Sequence, residues 1–352
     1  MREAANLAMA IETLAQKRVN LETAVERLPK DTPIPPDQLE AVRNYLTYEG
    51  ESAILAGRLK ESLLAEGTVQ EPHTSDPLVS VIIPCHNYGR YLRECVESVL
   101  MQTFAAWEVI IINDGSTDDT NEVAAQVIKD YPKHALRYYE QQCQGIVQPR
   151  NRGVSLAKGA FILPLDADDL IAPKFLELTV AKLTEKPHLG YVSTKALFFG
   201  SSNKIWPREA FNPLALLFTN QQGNTTLYRK SMWVDVGGYE PTMIHGYMDW
   251  EFWIDCTKMG WTGEQLEVPY YLYRRKVDSV VMKAKKRDQA IKTQIMKLHP
   301  EIYDLSQRRK AGGEMNTPNW IPPVFLRNPL PIRQRPVRSA TTLNDKEQHE
   351  LL

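Results

Sequence analysis

The segment Asp166-Ala167-Asp168-Asp169 puts three carboxylates within four residues. Packed together without a cation, such groups repel and raise one another's pKa. A divalent ion such as Mg²⁺ or Mn²⁺ removes that conflict, because hard cations take oxygen ligands and keep positions open for water and phosphate. An isolated Asp-x-Asp is more often a solvated turn or a helix cap. Here, however, it follows the apolar run Ala160–Leu165, which places it at the end of a strand. Asp114, in Asn113-Asp114-Gly115-Ser116, follows a second such run, Trp107–Ile112. Asp-Gly is a common turn signal, so Asp114 reads either as turn chemistry or as an acceptor facing a nucleoside. Arg150, in Gln-Pro-Arg-Asn-Arg-Gly, can grip a diphosphate with charge-assisted bonds or serve as a surface helix charge.

A second cluster is Tyr247-Met248-Asp249-Trp250-Glu251-Phe252-Trp253. Asp249 and Glu251 are two apart, which on a helix turns them to different sides and suits them to different tasks. Either is a candidate general base. The aromatics suit a sugar-stacking wall, although at least two of them are expected to be core. His245 is as plausible a loop histidine as a ligand.

These residues need a scaffold. Leu78–Pro84, Trp107–Ile112, Leu136–Glu140 and Ala160–Leu165 read as strands from their β-branched and apolar runs. Helical spacing lies between them: Leu92 to Leu100, Val123 to Ile128, Gln148 to Ala157. Alternating strand and helix means a parallel α/β sheet with crossovers, which binds ligands at the carboxyl ends of its strands. His86-Asn87, Asp114 and Asp166–Asp169 all fall just after a strand.

The flanks differ in composition. Leu7, Ile11, Leu14, Arg18, Leu21, Val25 and Leu28 form a heptad-like stripe, closed by Pro29, Pro33, Pro35 and Pro36. Asp37 then starts a second helix with Leu39, Val42, Leu46, Ala53, Ala56 and Leu63 on one face. The expected organisation is a helical hairpin over 1–70, a linker over 71–77 and a catalytic domain over 78–282. A C-terminal helix over 283–300 and a proline-rich, basic, irregular tail over 301–352 complete it. The hairpin has little core of its own, so it is expected to dock on the main domain or join subunits.

Of the 352 residues, 43% are hydrophobic and 24% charged, which argues against a fibrous or wholly disordered chain. The net charge of −1 hides an acidic head (−5 over 1–76), a middle of −3 and a basic tail (+7 over 283–352). A strong overall basic field is absent, and no nucleic-acid partner is expected. No apolar run approaches the ~20 residues of a membrane span, and no signal peptide is read at the start. Cys85, Cys95, Cys143 and Cys256 show no disulfide or zinc spacing, which suits the cytoplasm. Neither GxGxxG nor a Walker-type loop is present.

Taken in order, Ser80-Val81-Ile82-Ile83-Pro84-Cys85-His86-Asn87, Asn113-Asp114-Gly115-Ser116-Thr117-Asp118, Arg150-Asn151-Arg152-Gly153, Leu165-Asp166-Ala167-Asp168-Asp169, Gly237-Gly238-Tyr239 and Asp249-Trp250-Glu251 resemble the family 2 glycosyltransferases. The resemblance covers roughly Pro77 to Met282. It implies a GT-A fold, an α/β Rossmann-like mixed sheet flanked by helices. It also implies a nucleotide-sugar donor, a divalent metal (Mn²⁺ or Mg²⁺) and inversion at the anomeric carbon. By this resemblance Pro84, His86 and Asn87 contact nucleobase and ribose, Asp114 meets the base and Arg150 lies near the nucleotide. Asp166 meets the ribose, Asp168 the metal, and Asp249 is the catalytic base.

Three departures stand out: Cys85-His86-Asn87 for the usual Tyr-Asn, Pro149-Arg150-Asn151 for Ala-Arg-Asn, and Arg274-Arg275-Lys276 where members often have Arg-x-His. The last removes a metal-side histidine and leaves Arg275 or Lys276 to contact the diphosphate. The processive-synthase motif Gln-x-x-Arg-Trp is absent. The expectation is a non-processive transferase moving a sugar from a nucleotide-sugar, UDP-linked by family habit, to a glycan or lipid-linked acceptor. Its expected place is the cytoplasm, with peripheral contact on the inner membrane face through the basic C-terminal segment. Two competing readings are a sugar-nucleotide nucleotidyltransferase and a catalytically inactive, transferase-like binding module. A nucleotidyltransferase should carry a Gly-rich basic loop after the first strand, where Pro84–Arg90 has a single glycine.

Overall fold

Alternate residues of the first strands face opposite sides, and both sides are apolar. A computed structural model describes residues 21–27, 33–34, 36–70, 76–206, 210–277 and 279–303. In it, β1 (Val79–Cys85) and β2 (Trp107–Asp114) are buried along their whole length. Val79, Val81 and Ile83 join Val109 and Ile111 in one core, whereas Ile82, Ile110 and Ile112 join a second. Burial on both faces is what a central parallel sheet requires.

The N-terminal elements are α1 (Pro36–Asn44), a wide helical turn over Tyr45–Glu49, and α2 (Ala53–Leu64). After β1 come α3 (Gly89–Leu100), β2, α4 (Thr120–Asp130), β3 (Leu136–Gln141), α5 (Gln148–Leu156) and β4 (Phe161–Pro164). Then follow β5 (Leu170–Ile171), α6 (Phe175–Glu185), β6 (Leu189–Gly200), β7 (Ile205–Trp206), α7 (Pro213–Leu216), β8 (Leu227–Arg229) and α8 (Lys230–Val236). The chain continues through α9 (Met248–Lys258), β9 (Thr262–Arg275), α10 (Val280–Lys286), α11 (Asp288–Leu298) and α12 (Pro300–Tyr303). The sheet runs β3-β2-β1-β4-β8-β6-β9-β5, with β7 on β6. β1 to β4 are parallel, β8 is antiparallel to both neighbours, and β9 is parallel to β6. This is the expected mixed α/β sheet flanked by helices; its first four strands match the sequence reading within two residues and the intervening helices within three.

Two expected helices are broken. The second N-terminal helix stops before Gly50 and restarts after Ser52, whose hydroxyl accepts from Leu55 N at 3.3 Å as an N-cap. The helix expected over 283–300 is two, α10 and α11, which meet at Arg287. Most of the stripe Leu7–Leu28, and the tail after 303, lie outside the described residues.

Val42, Leu46, Leu55, Leu59 and Leu63 belong to the same core as β1 and α3. Polar contacts reinforce this docking: Ser52 N donates to the Asn203 carbonyl at 3.1 Å, Glu51 pairs with Lys204 at 3.2 Å, and Lys60 lies 4.7 Å from the centre of the Phe199 ring. The N-terminal helices thus pack on the β6–β7 side of the body.

Candidate active site

Parallel pairing sets the site. Cys85 aligns with Asn113 and Ile82 with Pro164, so β1, β2 and β4 end on one rim, and the polar residues that follow each strand meet there.

The β1 and β2 ends are cross-tied. Asn87 is left-handed (φ 58), and its side-chain oxygen accepts from Thr117 N at 2.8 Å. Its own N–H donates to Ser116 Oγ at 2.9 Å. His86 Nδ1 lies 2.7 Å from the Asp114 carbonyl oxygen. Gly115 has φ 66, and a Cβ there would sit 2.7 Å from Cys143 N, so this turn needs glycine.

The Asp114 carboxylate is buried and accepts three donors: Gln141 Nε2 (2.7 Å), Gln144 N (3.0 Å) and Gly145 N (2.9 Å). Burial pushes its pKa up, opposed by those donors. Asp114 is therefore more than a local turn residue, since it holds the loop after β3 against the end of β2. A carboxylate offers about four acceptor sites, and the Cys143 side chain is a further hydrogen-bonding neighbour of this one. The ligand atoms of His86, Asp114 and Cys143 lie within 4.8 Å of one another, close enough to hold a metal. Asp114 in this trio is already engaged by three donors, and burial and the Asp114 charge push the Cys143 thiol up.

Arg150 is carried on α5, which lies close to β1. A Cβ on Gly153 would come within 2.3 Å of Ile82 Cγ2, so only glycine permits that approach. The Arg150 guanidinium is buried and donates to the Ile146 carbonyl and the Asp166 carboxylate. It is not a surface helix charge. Its neighbour Asn151 accepts from Trp233 Nε1 (3.0 Å) and Tyr239 N (2.9 Å) and donates to the Tyr239 carbonyl (2.9 Å). That stitches α5 to the Gly237-Gly238-Tyr239 loop.

The three carboxylates after β4 have separate partners. Asp166 also accepts from Asn224 Nδ2 at 3.0 Å. Asp168 Oδ2 pairs with Lys276 Nζ at 2.6 Å. Asp169 is fully buried and accepts from Tyr271 Oη (2.5 Å) and Arg274 N (2.8 Å). Burial, then the Asp166 charge, raise the Asp168 pKa, while Lys276 lowers it. Burial and its two acidic neighbours hold Asp169 well above the ordinary range.

Asp249 and Glu251 lie in the first turn of α9, after a left-handed Tyr247 (φ 56). They part as helical geometry demands. Asp249 is half-buried, with Asn220 Nδ2 2.9 Å from its Oδ2. Glu251 is fully buried, 3.3 Å from His299 Nε2, and His299 Nδ1 is 3.0 Å from Lys258 Nζ. Trp250, Phe252 and Trp253 are core, so the aromatic wall is confined to the half-buried Tyr247. His245 lies 3.0 Å from the Arg287 guanidinium.

The structure therefore gathers Pro84, His86, Asn87, Asp114, Arg150, Asp166 and Asp168 on one rim. Asp249 is linked to it through the segment 220–224, whose ends bind Asp249 and Asp166. Sequence reasoning missed Asn220 and Asn224. Their only signal was two asparagines in an Asn-Gln-Gln-Gly-Asn run, which reads as an ordinary loop.

Among solved structures, S. aureus TarS 1–349 in complex with UDP superposes with a TM-score of 0.51 at 22% identity, covering 66% of this chain and 68% of that one. The mannosyltransferase PcManGT from Pyrobaculum calidifontis, in complex with GDP-Man and Mn²⁺, gives 0.50 at 19%, covering 82% and 80%. The fold is of the GT-A type. EpsE of Bacillus subtilis is 30% identical over 210 residues, 58% of this chain and 76% of EpsE. Three further curated relatives match at 37–41% identity over shorter stretches, and the chain spans only 17–36% of their lengths. The family model "Glycosyl transferase family 2" matches residues 80–244. With this family model and the match over 76% of EpsE, the chain is a member of glycosyltransferase family 2.

Proposed function

We propose that this chain transfers a sugar from a nucleoside-diphosphate sugar to a hydroxyl of a glycan or lipid-linked acceptor, non-processively, by a metal-dependent inverting single displacement. The observation that carries this reading is the shared rim. Asp114, the Arg150–Asp166 pair and Asp168 line the ends of β2 and β4, and one short segment ties Asp166 to Asp249.

Asp114, oriented by its three donors, would face the nucleobase, and UDP is favoured by family habit. The UDP-bound TarS complex is consistent with that choice. Arg150 holds Asp166 in place, so the carboxylate that would meet the ribose is oriented before the nucleotide arrives. Asp249 would take the proton of the acceptor hydroxyl as that oxygen attacks the anomeric carbon opposite the leaving diphosphate. Asn220 fixes the orientation of that base.

The donor set suits a divalent ion. Asp168 is a buried oxygen donor whose ionised form is disfavoured by burial and by Asp166; Lys276 Nζ at 2.6 Å already supplies one positive charge there, and a divalent ion would have to take its place or share the carboxylate. When bound, Mn²⁺ or Mg²⁺ on Asp168 would neutralise the leaving diphosphate as a Lewis acid. The Mn²⁺ in PcManGT is consistent with this.

No described helix is long and apolar enough to cross a membrane. The decisive experiment screens nucleotide-sugars for metal-dependent hydrolysis. Release of one nucleoside diphosphate supports transfer, and binding without turnover of any donor would favour an inactive binding module.

A further inference from the structure

Lys276 stands just past the end of β9, and its placement is specific. Nζ lies 2.6 Å from Asp168 Oδ2, on the carboxylate assigned to the metal. The ammonium also lies 3.8 Å from the centre of the Tyr88 ring and 5.4 Å from that of Tyr91, a cation–π seat. The strand end that delivers it is anchored. Arg274 donates its backbone N–H to Asp169 (2.8 Å), Nε to the Asp168 carbonyl (2.8 Å) and Nη2 to Glu94 (2.6 Å). Its guanidinium lies 4.5 Å from the centre of the Phe199 ring and 4.6 Å from that of Tyr91. Immediately after Lys276 the chain turns outward, with Val277 83% exposed. Arg274 is thus a fixed post, and Lys276 is a flexible four-carbon arm hung from it.

A neutral histidine would add a lone pair to a metal at Asp168, but an ammonium adds a positive charge. The two cations repel if both stay on one carboxylate. We propose that Lys276 is a resident cation on Asp168 that competes with divalent metal, so that the metal binds tightly only with a diphosphate, which draws the ammonium away. The inference rests on the reading of Asp168 as metal-facing. It assigns Lys276 a positioning role and makes metal and nucleotide binding cooperative. Linkage makes that cooperativity reciprocal: whatever factor UDP adds to metal affinity, metal adds to UDP affinity. The design would keep the free protein from holding a metal in an unproductive site.

The test is a titration of Mn²⁺ into the full chain, following the EPR signal of free Mn²⁺, with and without UDP. Without nucleotide, Lys276→Met is expected to bind Mn²⁺ about tenfold more tightly than the wild type, the scale of one partly buried ion pair. Lys276→Arg, which keeps the charge, should stay near wild type. With saturating UDP, the wild type should gain more Mn²⁺ affinity than Lys276→Met, so the gap narrows. Lys276→Gln supplies the same comparison if the Met variant does not fold. Equal or weaker Mn²⁺ binding by the charge-removed variant overturns the proposal, as does no Mn²⁺ binding by either protein. Calorimetry of UDP alone tests the donor reading separately. Failure to bind UDP would sink that reading, while the nucleotide-free Mn²⁺ comparison still judges Lys276.

Discussion

The Asn220 carboxamide donates to Asp249 Oδ2 at 2.9 Å, across 29 positions of sequence. A carboxylate that must accept a proton from an incoming hydroxyl works best when its orientation is fixed beforehand. Asp249→Asn keeps the shape and removes the proposed base, so turnover should fall by ~10²–10⁴-fold with donor affinity little changed. Asn220→Ala should lower kcat by about tenfold through the lost charge-assisted bond. Wild-type turnover in Asp249→Asn beside a dead Glu251→Gln would mean the base is the other carboxylate.

Asp168→Ala removes the carboxylate proposed to hold a divalent ion. Activity should vanish in this variant, and in the wild type with excess EDTA, and should return on adding Mn²⁺ to the wild type alone. Full turnover in EDTA would contradict the metal assignment.

The buried Asp169 gives a pH signature. Its folded-state pKa stands well above the unfolded value of ~4, because burial and its acidic neighbours disfavour the charge. Its contribution is fully present below the unfolded pKa and is lost as pH rises through the folded one. Asp169→Asn does not titrate. Its melting temperature relative to wild type should therefore shift in the variant's favour from pH 4 upward. A pH-independent difference would show that Asp169 is not held protonated.

Leu59 is fully buried between the N-terminal helices and the body. Leu59→Ala should cost about 2–5 kcal/mol, read from denaturant midpoints. A chain beginning near Thr74 should keep Mn²⁺ binding but lose stability or change mass in light scattering. Unchanged stability and mass would make the N-terminal helices a mere appendage.

The segment 283–352 carries net +7. Co-sedimentation with anionic liposomes should occur at low salt and fade as salt rises, at ~1 kcal/mol per basic group near the surface. No co-sedimentation, or salt-insensitive co-sedimentation, counts against an electrostatic membrane contact.

The strands that build the rim were legible in the sequence because their cause is local. Runs such as Val81-Ile82-Ile83 and Val109–Ile112 suit a doubly buried strand wherever they occur. The polar residues that end those runs then fall on one rim, which is why Asp114, Asp166 and Asp168 were identifiable before any coordinates. The identities of Asp249 and Glu251 were equally visible, and their two-residue spacing already separated their faces. What they face was not visible. Glu251 meets His299, Asp249 meets Asn220, and Trp250, Phe252 and Trp253 turn into the core rather than toward a sugar. Asn224 reaches Asp166 across 58 positions, and Arg274 reaches the Asp168 carbonyl across 106. Propensity and periodicity act over one or two turns of chain, so partners at such separations have no local signature. They are chosen by the crossing of β9 beside β6 and by the path of the 220–224 segment, which depend on how the whole sheet packs. The sequence alone determined that an acidic rim exists on a family 2 scaffold. Tertiary structure decided that Arg150 holds one of its carboxylates and that Lys276 neutralises another.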